Sequence, residues 1–213
     1  MKKIADIRKE YMLHSFSEAI ADPDPIRQFT AWWDEALRSQ VEEVNACTLA
    51  TATANGIPAA RVVLLKGYDE NGFVFFTNYE SQKGRNLAEN PRACMVFFWK
   101  ELERQVKIEG TVSPLTAAEN DAYYFSRPPG SQIGAWASPQ SRVIAGREVI
   151  EENVRRMEEK FAATPVTRPP HWGGYRVQPH LIEFWQGRPS RLHDRLQYSK
   201  LAENGWKMER LAP

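Results

Sequence analysis

The sequence is short of cysteine, of charge of one sign and of long apolar runs, and each shortage closes off a class of function. Its two cysteines, Cys47 and Cys94, both lie inside apolar stretches. There an unpaired thiol behaves as a small buried hydrophobe, which argues against a disulfide framework and for a reducing, cytoplasmic setting. Lys and Arg total 28 against 27 Asp and Glu, a formal charge of +1 over 213 residues. A chain so balanced has no global field to gather nucleic acid or anionic lipid, so any anion site must be local. No run is long and apolar enough to cross a bilayer, and Asp6, Arg8, Lys9 and Glu10 break up the basic start before a signal-peptide core can form. Neither a membrane nor a nucleic acid is expected as a partner. The sequence also lacks a G-x-G-x-x-G turn, a G-x-x-x-x-G-K-[ST] loop, an H-E-x-x-H helix and a G-x-S-x-G elbow. Nucleotide hydrolysis, zinc hydrolysis and serine-hydrolase chemistry thereby lose their machinery. His14, His171, His180 and His193 are far apart in sequence, and no metal site is expected.

What is present is a chain of 42% hydrophobic residues, long enough to bury a core and short enough to form one domain. Asp24-Pro25 is a helix start, and Ile26, Phe29, Trp33 and Leu37 repeat behind it at helical spacing. From Cys47 the texture becomes β-rich, in runs Cys47 to Ala54, Ala59 to Leu65, Phe73 to Thr77, Met95 to Trp99 and Gln105 to Val112. Asn55-Gly56 reads as a hairpin turn and Asp69-Glu70-Asn71-Gly72 as a longer one, so the runs predict a five-strand meander. Ser81 to Glu89 predicts a short helix capped by Ser81. Thr116-Ala117-Ala118-Glu119 is a capping box for a helix running to Ser126 and stopped by Pro128-Pro129-Gly130. Gly146 to Phe161 predicts a further helix with Ile150, Val154, Met157 and Phe161 on one face. After a Pro- and Thr-rich loop come Gly174 to Val177, Leu181 to Trp185, Arg191 to Tyr198 and Trp206 to Arg210 as a second β set. Runs of strands with few helices predict an α+β fold, an antiparallel barrel flanked by helices.

Cations recur beside hydroxyl, amide and aromatic groups. Arg61-Val62-Val63-Leu64-Leu65-Lys66 has one at each end of an apolar strand, and alternation points Arg61 and Lys66 to opposite faces unless the strand end re-aims one. Ser81-Gln82-Lys83 opens a helix, which suits either a capped surface helix or a phosphate. Tyr123, Arg127 and Ser131 offer a phenol, a guanidinium and a hydroxyl, the donors that a phosphate monoester needs, at a helix end that solvent alone would also satisfy. In Arg191-Leu192-His193-Asp194-Arg195, alternation points Arg191, His193 and Arg195 to one face, where their mutual repulsion calls for an anion or carboxylates.

Arg61 to Lys66 and Arg191 to Arg195, with Leu102-Glu103-Arg104-Gln105-Val106, Ser126-Arg127-Pro128, Ser131-Gln132-Ile133-Gly134-Ala135-Trp136 and Glu183-Phe184-Trp185-Gln186-Gly187, resemble the pyridoxine/pyridoxamine 5′-phosphate oxidases over nearly the whole chain. The resemblance implies one FMN-binding split-barrel domain over residues 1–213, with 1–20 as a mobile lid and 171–213 as dimerisation and active-site strands. It implies a homodimer with active sites at the subunit interface. Carried over residue by residue, it implies FMN contacts at Arg61, Val62, Val63, Leu64, Leu65, Lys66, Phe76, Thr77, Gln82, Lys83, Gln105, Gln140, Ser141, Trp185 and Arg195. Substrate contacts are implied at Lys66, Tyr123, Arg127 and Ser131 around the phosphate, at Arg191, Leu192 and His193 near the ring, and at Arg8, Lys9, Glu10 and Tyr11 in the lid. Arg191 and His193 are the catalytic pair. The implied reaction passes a hydride from C4′ of pyridoxine or pyridoxamine 5′-phosphate to flavin N5 and then electrons to O2, giving pyridoxal 5′-phosphate and hydrogen peroxide. Two positions depart from the pattern. Gln82 stands where many members have Arg, which removes a charge-assisted contact of about 1.5–3 kcal/mol and implies weaker FMN binding, and Phe76 stands where some have Tyr. The Ser81 to Arg85 run also resembles flavin oxidases of phenazine biosynthesis, which tend to lack the phosphate cradle kept here. A non-catalytic carrier of FMN or pyridoxal phosphate would use the same cradle with less need of Arg191 and His193.

Overall fold

A computed structural model describes residues 3, 4, 10–203 and 205–213, so the lid positions Arg8 and Lys9 lie outside the described residues. The first helix, α1 (Pro25–Arg38), begins where Asp24 Oδ1 accepts from the Ile26 and Arg27 amides at 2.8 and 3.3 Å, with Pro25 at the first position. It buries Phe29, Trp32 and Ala36, while Ile26 and Trp33 pack partly and Leu37 is exposed. The buried stripe is thus rotated from the expected one, because Trp32 is drawn onto Phe16 and Phe184.

Among the described residues nine strands form one curled antiparallel sheet: β1 (Ala46–Ala52), β2 (Pro58–Leu64), β3 (Gly67–Asp69), β4 (Gly72–Asn78), β5 (Arg92–Trp99), β6 (Arg104–Pro114), β7 (Trp172–Gln186), β8 (Asp194–Lys200) and β9 (Trp206–Arg210). Its order is β2-β1-β5-β6-β7-β4-β3, with β8 on β7 and β9 on β8. The expected meander is therefore corrected. Adjacent hairpins do form, but β1 turns to β5, and β4 crosses to β7. The Asp69 to Gly72 turn is tight rather than long, since Asp69 Oδ1 accepts from the Asn71 and Gly72 amides.

The two runs read as Gly174 to Val177 and Leu181 to Trp185 are one strand. β7 follows β6 along its length, shifting register beside Gly110, where Pro179 supplies no N–H. On its other side β7 pairs with β4 over Trp172 to Val177 and with β8 over Leu181 to Gln186. The sheet divides at that change of partner, which makes it a split barrel. Its core is aromatic: Phe29 lies within 4.8–6.0 Å, centroid to centroid, of Trp33, Tyr68, Phe73, Phe97 and Trp99. Each such ring removes a large apolar area from water.

Four more helices flank the sheet: α2 (Gln82–Glu89), α3 (Ala117–Ser126), α4 (Pro129–Ala137) and α5 (Arg147–Phe161). Ser81 caps α2, and Thr116 with Glu119 forms the capping box of α3. Pro128-Pro129 ends α3 as expected but also starts α4, because Pro129 occupies a first-turn position where no N–H is needed. In α5, Ile150, Val154, Met157 and Phe161 are half-buried on the face toward α4.

Candidate active site

Between β2, β4 and the α3–α4 corner lies a cavity of about 620 Å³ whose lining includes Lys66, Thr77, Lys83, Tyr123, Arg127, Ser131 and Gln140. Val62, Val63, Leu64 and Phe76 complete the expected set on its wall. Among the described residues no carboxylate lines it. Lys66 reaches it because β2 ends at Leu64 and the Lys66 amide turns to donate to Val74 O.

Lys83 occupies the first turn of α2 and is buried. Among the described residues its ammonium donates to neutral acceptors, Thr77 Oγ1 and Gln140 Oε1 at 3.1 Å and Ser81 Oγ at 3.5 Å. Desolvation, and then the Arg61 charge, bring its pKa down to about 8. Arg61 does not line the cavity. Its Nη1 donates to Thr51 Oγ1 at 2.7 Å and to the Leu49 and Ala59 carbonyls, while its buried Nη2 has no partner among the described residues.

Arg127 follows the last turn of α3 with its guanidinium carbon 4.5 Å from the Trp172 ring centroid. Desolvation lowers its pKa, and its buried Nη1 is likewise unpartnered among the described residues. Phe76, Tyr123 and Trp172 stack nearly parallel beside it, with Phe76 and Tyr123 centroids 3.9 Å apart. Sequence reading did not single out Trp172, which falls between the Pro- and Thr-rich loop and the strand expected from Gly174. The aromatic preceding Gly173-Gly174 was the available signal, since those glycines let β7 approach Tyr79 and Phe76 closely.

A second group of expected residues lies apart from this cavity's lining. Gln105, Trp185 and Arg195 stand directly opposite one another on β6, β7 and β8, so their side chains share a face. Arg195 Nε donates to buried Glu183 at 2.7 Å. The Trp185 and His193 rings are 4.5 Å apart, and Tyr11 meets Trp185 edge-on at 5.8 Å. Tyr11 can pack there because residue 187 is glycine: a Cβ would lie 2.7 Å from the ring. Glu103 Oε2 accepts from the Met12 and Leu13 amides at 2.9 and 3.2 Å and holds this segment down. Glu10 is exposed.

The expected strand from Arg191 is corrected, since β8 starts at Asp194. Ser190 and Arg191 have φ of 56° and 61°, a left-handed turn that strand alternation cannot describe. Arg191 and Leu192 are exposed, whereas His193 turns inward and its Nδ1 accepts from the Arg188 amide at 3.1 Å. Burial, then the Arg191 charge, lower the His193 pKa. Leu65 belongs to the core, Gln82 is exposed at the start of α2, and Ser141 is exposed with φ 67°. None of these three lines the cavity. Among the described residues no group of His, Cys, Asp and Glu is placed to hold a metal, and no helix is long and apolar enough to cross a membrane.

Residues 33–161 match the family described as pyridoxamine 5′-phosphate oxidase, and residues 172–213 match the pyridoxine 5′-phosphate oxidase C-terminal dimerisation region. A pyridoxine/pyridoxamine 5′-phosphate oxidase of Cupriavidus metallidurans is 57% identical over all of both chains. One from Cyanothece sp. is 56% identical over 99% of this chain and 98% of its own. Among solved structures, PhzG from Burkholderia lata, in complex with tetrahydrophenazine-1-carboxylic acid, superposes with a TM-score of 0.87 at 34% identity, covering 95% of this chain and 99% of that one. The split barrel, the matched models and relatives of equal length agree, and the chain belongs to the pyridoxamine 5′-phosphate oxidase family.

Proposed function

We propose that the chain is an FMN-dependent oxidase that converts pyridoxine 5′-phosphate or pyridoxamine 5′-phosphate to pyridoxal 5′-phosphate, with O2 as acceptor and hydrogen peroxide as second product. The observation that carries this reading is a cavity lined by Lys66, Lys83 and Arg127 with no carboxylate among the described residues. Buried charged nitrogens without counter-charges are costly unless an anion joins them, and Arg61 Nη2 and Arg127 Nη1 are buried with no acceptor among the described residues. Two phosphates, one from the cofactor and one from the substrate, fit that donor set.

Lys83, Thr77 and Gln140, with Arg61 behind them, would hold the FMN phosphate. Arg127, Tyr123, Ser131 and Lys66 would hold the substrate phosphate, Arg127 offering two donors to one anion. When bound, FMN supplies the two-electron acceptor for the hydride leaving C4′ and the route onward to O2. The chain's own task is orientation: binding energy at the phosphate fixes the distant C4′, an entropic advantage that a phosphate-free substrate would lose. The Arg188 amide donates to His193 Nδ1, so the neutral ring holds its proton on Nε2 and presents a donor to the ring substituents. Arg191 adds a charge beside it, and Tyr11 limits water.

We further propose that two copies pair, so that Gln105, Trp185, Arg191, His193 and Arg195 of one complete the cavity of the other. The exposed Val62 and Leu192, at 67% and 69%, suit such an interface, and so does the matched dimerisation region. The test is turnover: protein reconstituted with FMN and given pyridoxine 5′-phosphate in air should form pyridoxal 5′-phosphate and peroxide in equal amounts, and an Arg127→Ala, Arg191→Ala variant should not. Bound flavin without turnover would overturn the proposal and favour a carrier, or chemistry on a ligand like that of the Burkholderia lata protein.

A further inference from the structure

Arg61 and Lys83 come from different elements, β2 and α2, and the Arg61 charge adds to desolvation in lowering the Lys83 pKa. One atom ties the two elements together. Thr51 Oγ1, on β1 and 4% exposed, accepts from Arg61 Nη1 at 2.7 Å and from Asn86 Nδ2 at 3.0 Å. Asn86 is itself buried and lies one turn beyond Lys83 on α2. Both acceptor positions of the hydroxyl are thereby used. With Nη1 fixed by Thr51 and two carbonyls, the planar guanidinium has one orientation, and its buried Nη2 is left for an acceptor from outside the described residues.

We propose that Thr51, with Asn86, is a positioning residue for cofactor phosphate binding, acting through Arg61 to hold two cations from separate elements at one anion. This rests on the FMN reading above. A threonine inside an apolar strand gives no such signal in sequence, since its methyl serves the core as valine would.

The test is a double-mutant cycle read as FMN dissociation constants by quenching of flavin fluorescence, with Thr51→Val, Thr51→Ser and Arg61→Ala. Thr51→Val should weaken FMN about tenfold, the scale of one hydrogen bond to a charged group. Thr51→Ser should restore binding to within about twofold of the unsubstituted protein on the same scale. In the Arg61→Ala background, Thr51→Val should cause no further loss. Equal losses in both backgrounds would overturn the proposal, because Thr51 would then act on the fold rather than through Arg61. Unchanged FMN binding by Thr51→Val would overturn it too. Failure of the unsubstituted protein to bind FMN would instead remove the FMN reading, and the proposal with it.

Discussion

Replacing Lys83 by Met should make the flavin-free protein more stable while weakening FMN. The Lys83 ammonium is buried against neutral oxygens, its pKa brought from 10.5 to about 8 by desolvation and then by Arg61. A displacement of that size is about 3 kcal/mol at full weight, and water at the mouth of the cavity screens it to about 1–2 kcal/mol. Met keeps most of the stem's packing, and Thr77 and Gln140 remain 3.1 Å apart as partners for each other. The sign depends on pH. Below about 8 the ammonium is charged in both folded and unfolded chains, and the folded state bears the whole cost. Between about 8 and 10.5 the folded state gives up its proton first, and the cost fades as pH rises. Urea unfolding of flavin-free protein at one fixed protein concentration should therefore show Lys83→Met ahead by about 1–2 kcal/mol at pH 7. That lead should shrink by pH 10.5, while FMN affinity at pH 7 falls by at least about tenfold. A variant less stable than the unsubstituted protein at pH 7, by an amount that does not change with pH, would refute the reasoning.

Three other outcomes are expected. Arg127→Ala should raise KM for the phosphorylated substrate by about 30-fold or more, on the scale of about 2–3 kcal/mol for a charge-assisted contact, and leave the FMN dissociation constant within about twofold; steady-state kinetics beside flavin titration separates the two. Gly187→Ala places a methyl group on the Tyr11 ring, so protease protection of the segment around Met12 and Leu13 should drop while FMN binding holds. Nitrogen NMR of His193 near neutral pH should show the proton on Nε2, and a proton on Nδ1 would contradict the Arg188 contact.

Local chemistry was the legible part of the sequence. Asp24 and Thr116 cap their helices as their neighbours imply, because a cap is decided by a few adjacent residues. Strand partners were not legible. Apolar alternation says which residues pair with something, while the crossing of β4 to β7 is set by how the sheet closes over the aromatic core. The α3–α4 corner shows a similar limit, since Pro128-Pro129 carries the same sign for stopping one helix and starting the next. Lys66, Tyr123, Arg127 and Ser131, expected around a phosphate, do line one cavity. The face around Arg191 was misread because two left-handed residues precede β8. Trp172 and Thr51 were not singled out, for their positions beside Arg127 and Arg61 come from what the fold brings together rather than from residue type.

The separation of the cavity from the Trp185 and His193 group within one chain makes subunit mixing the most direct test of the account. Arg127→Ala and Arg191→Ala chains, co-expressed and reconstituted with FMN, would be assayed for aerobic formation of pyridoxal 5′-phosphate from pyridoxine 5′-phosphate. At substrate concentrations below the KM of the unsubstituted protein, each variant alone should be nearly inactive. Random pairing places both changes in one site of each mixed dimer and leaves the other intact, so the mixture should recover about a quarter of the unsubstituted activity. A mixture as inactive as its parents, beside an active unsubstituted enzyme, would contradict a site shared between subunits.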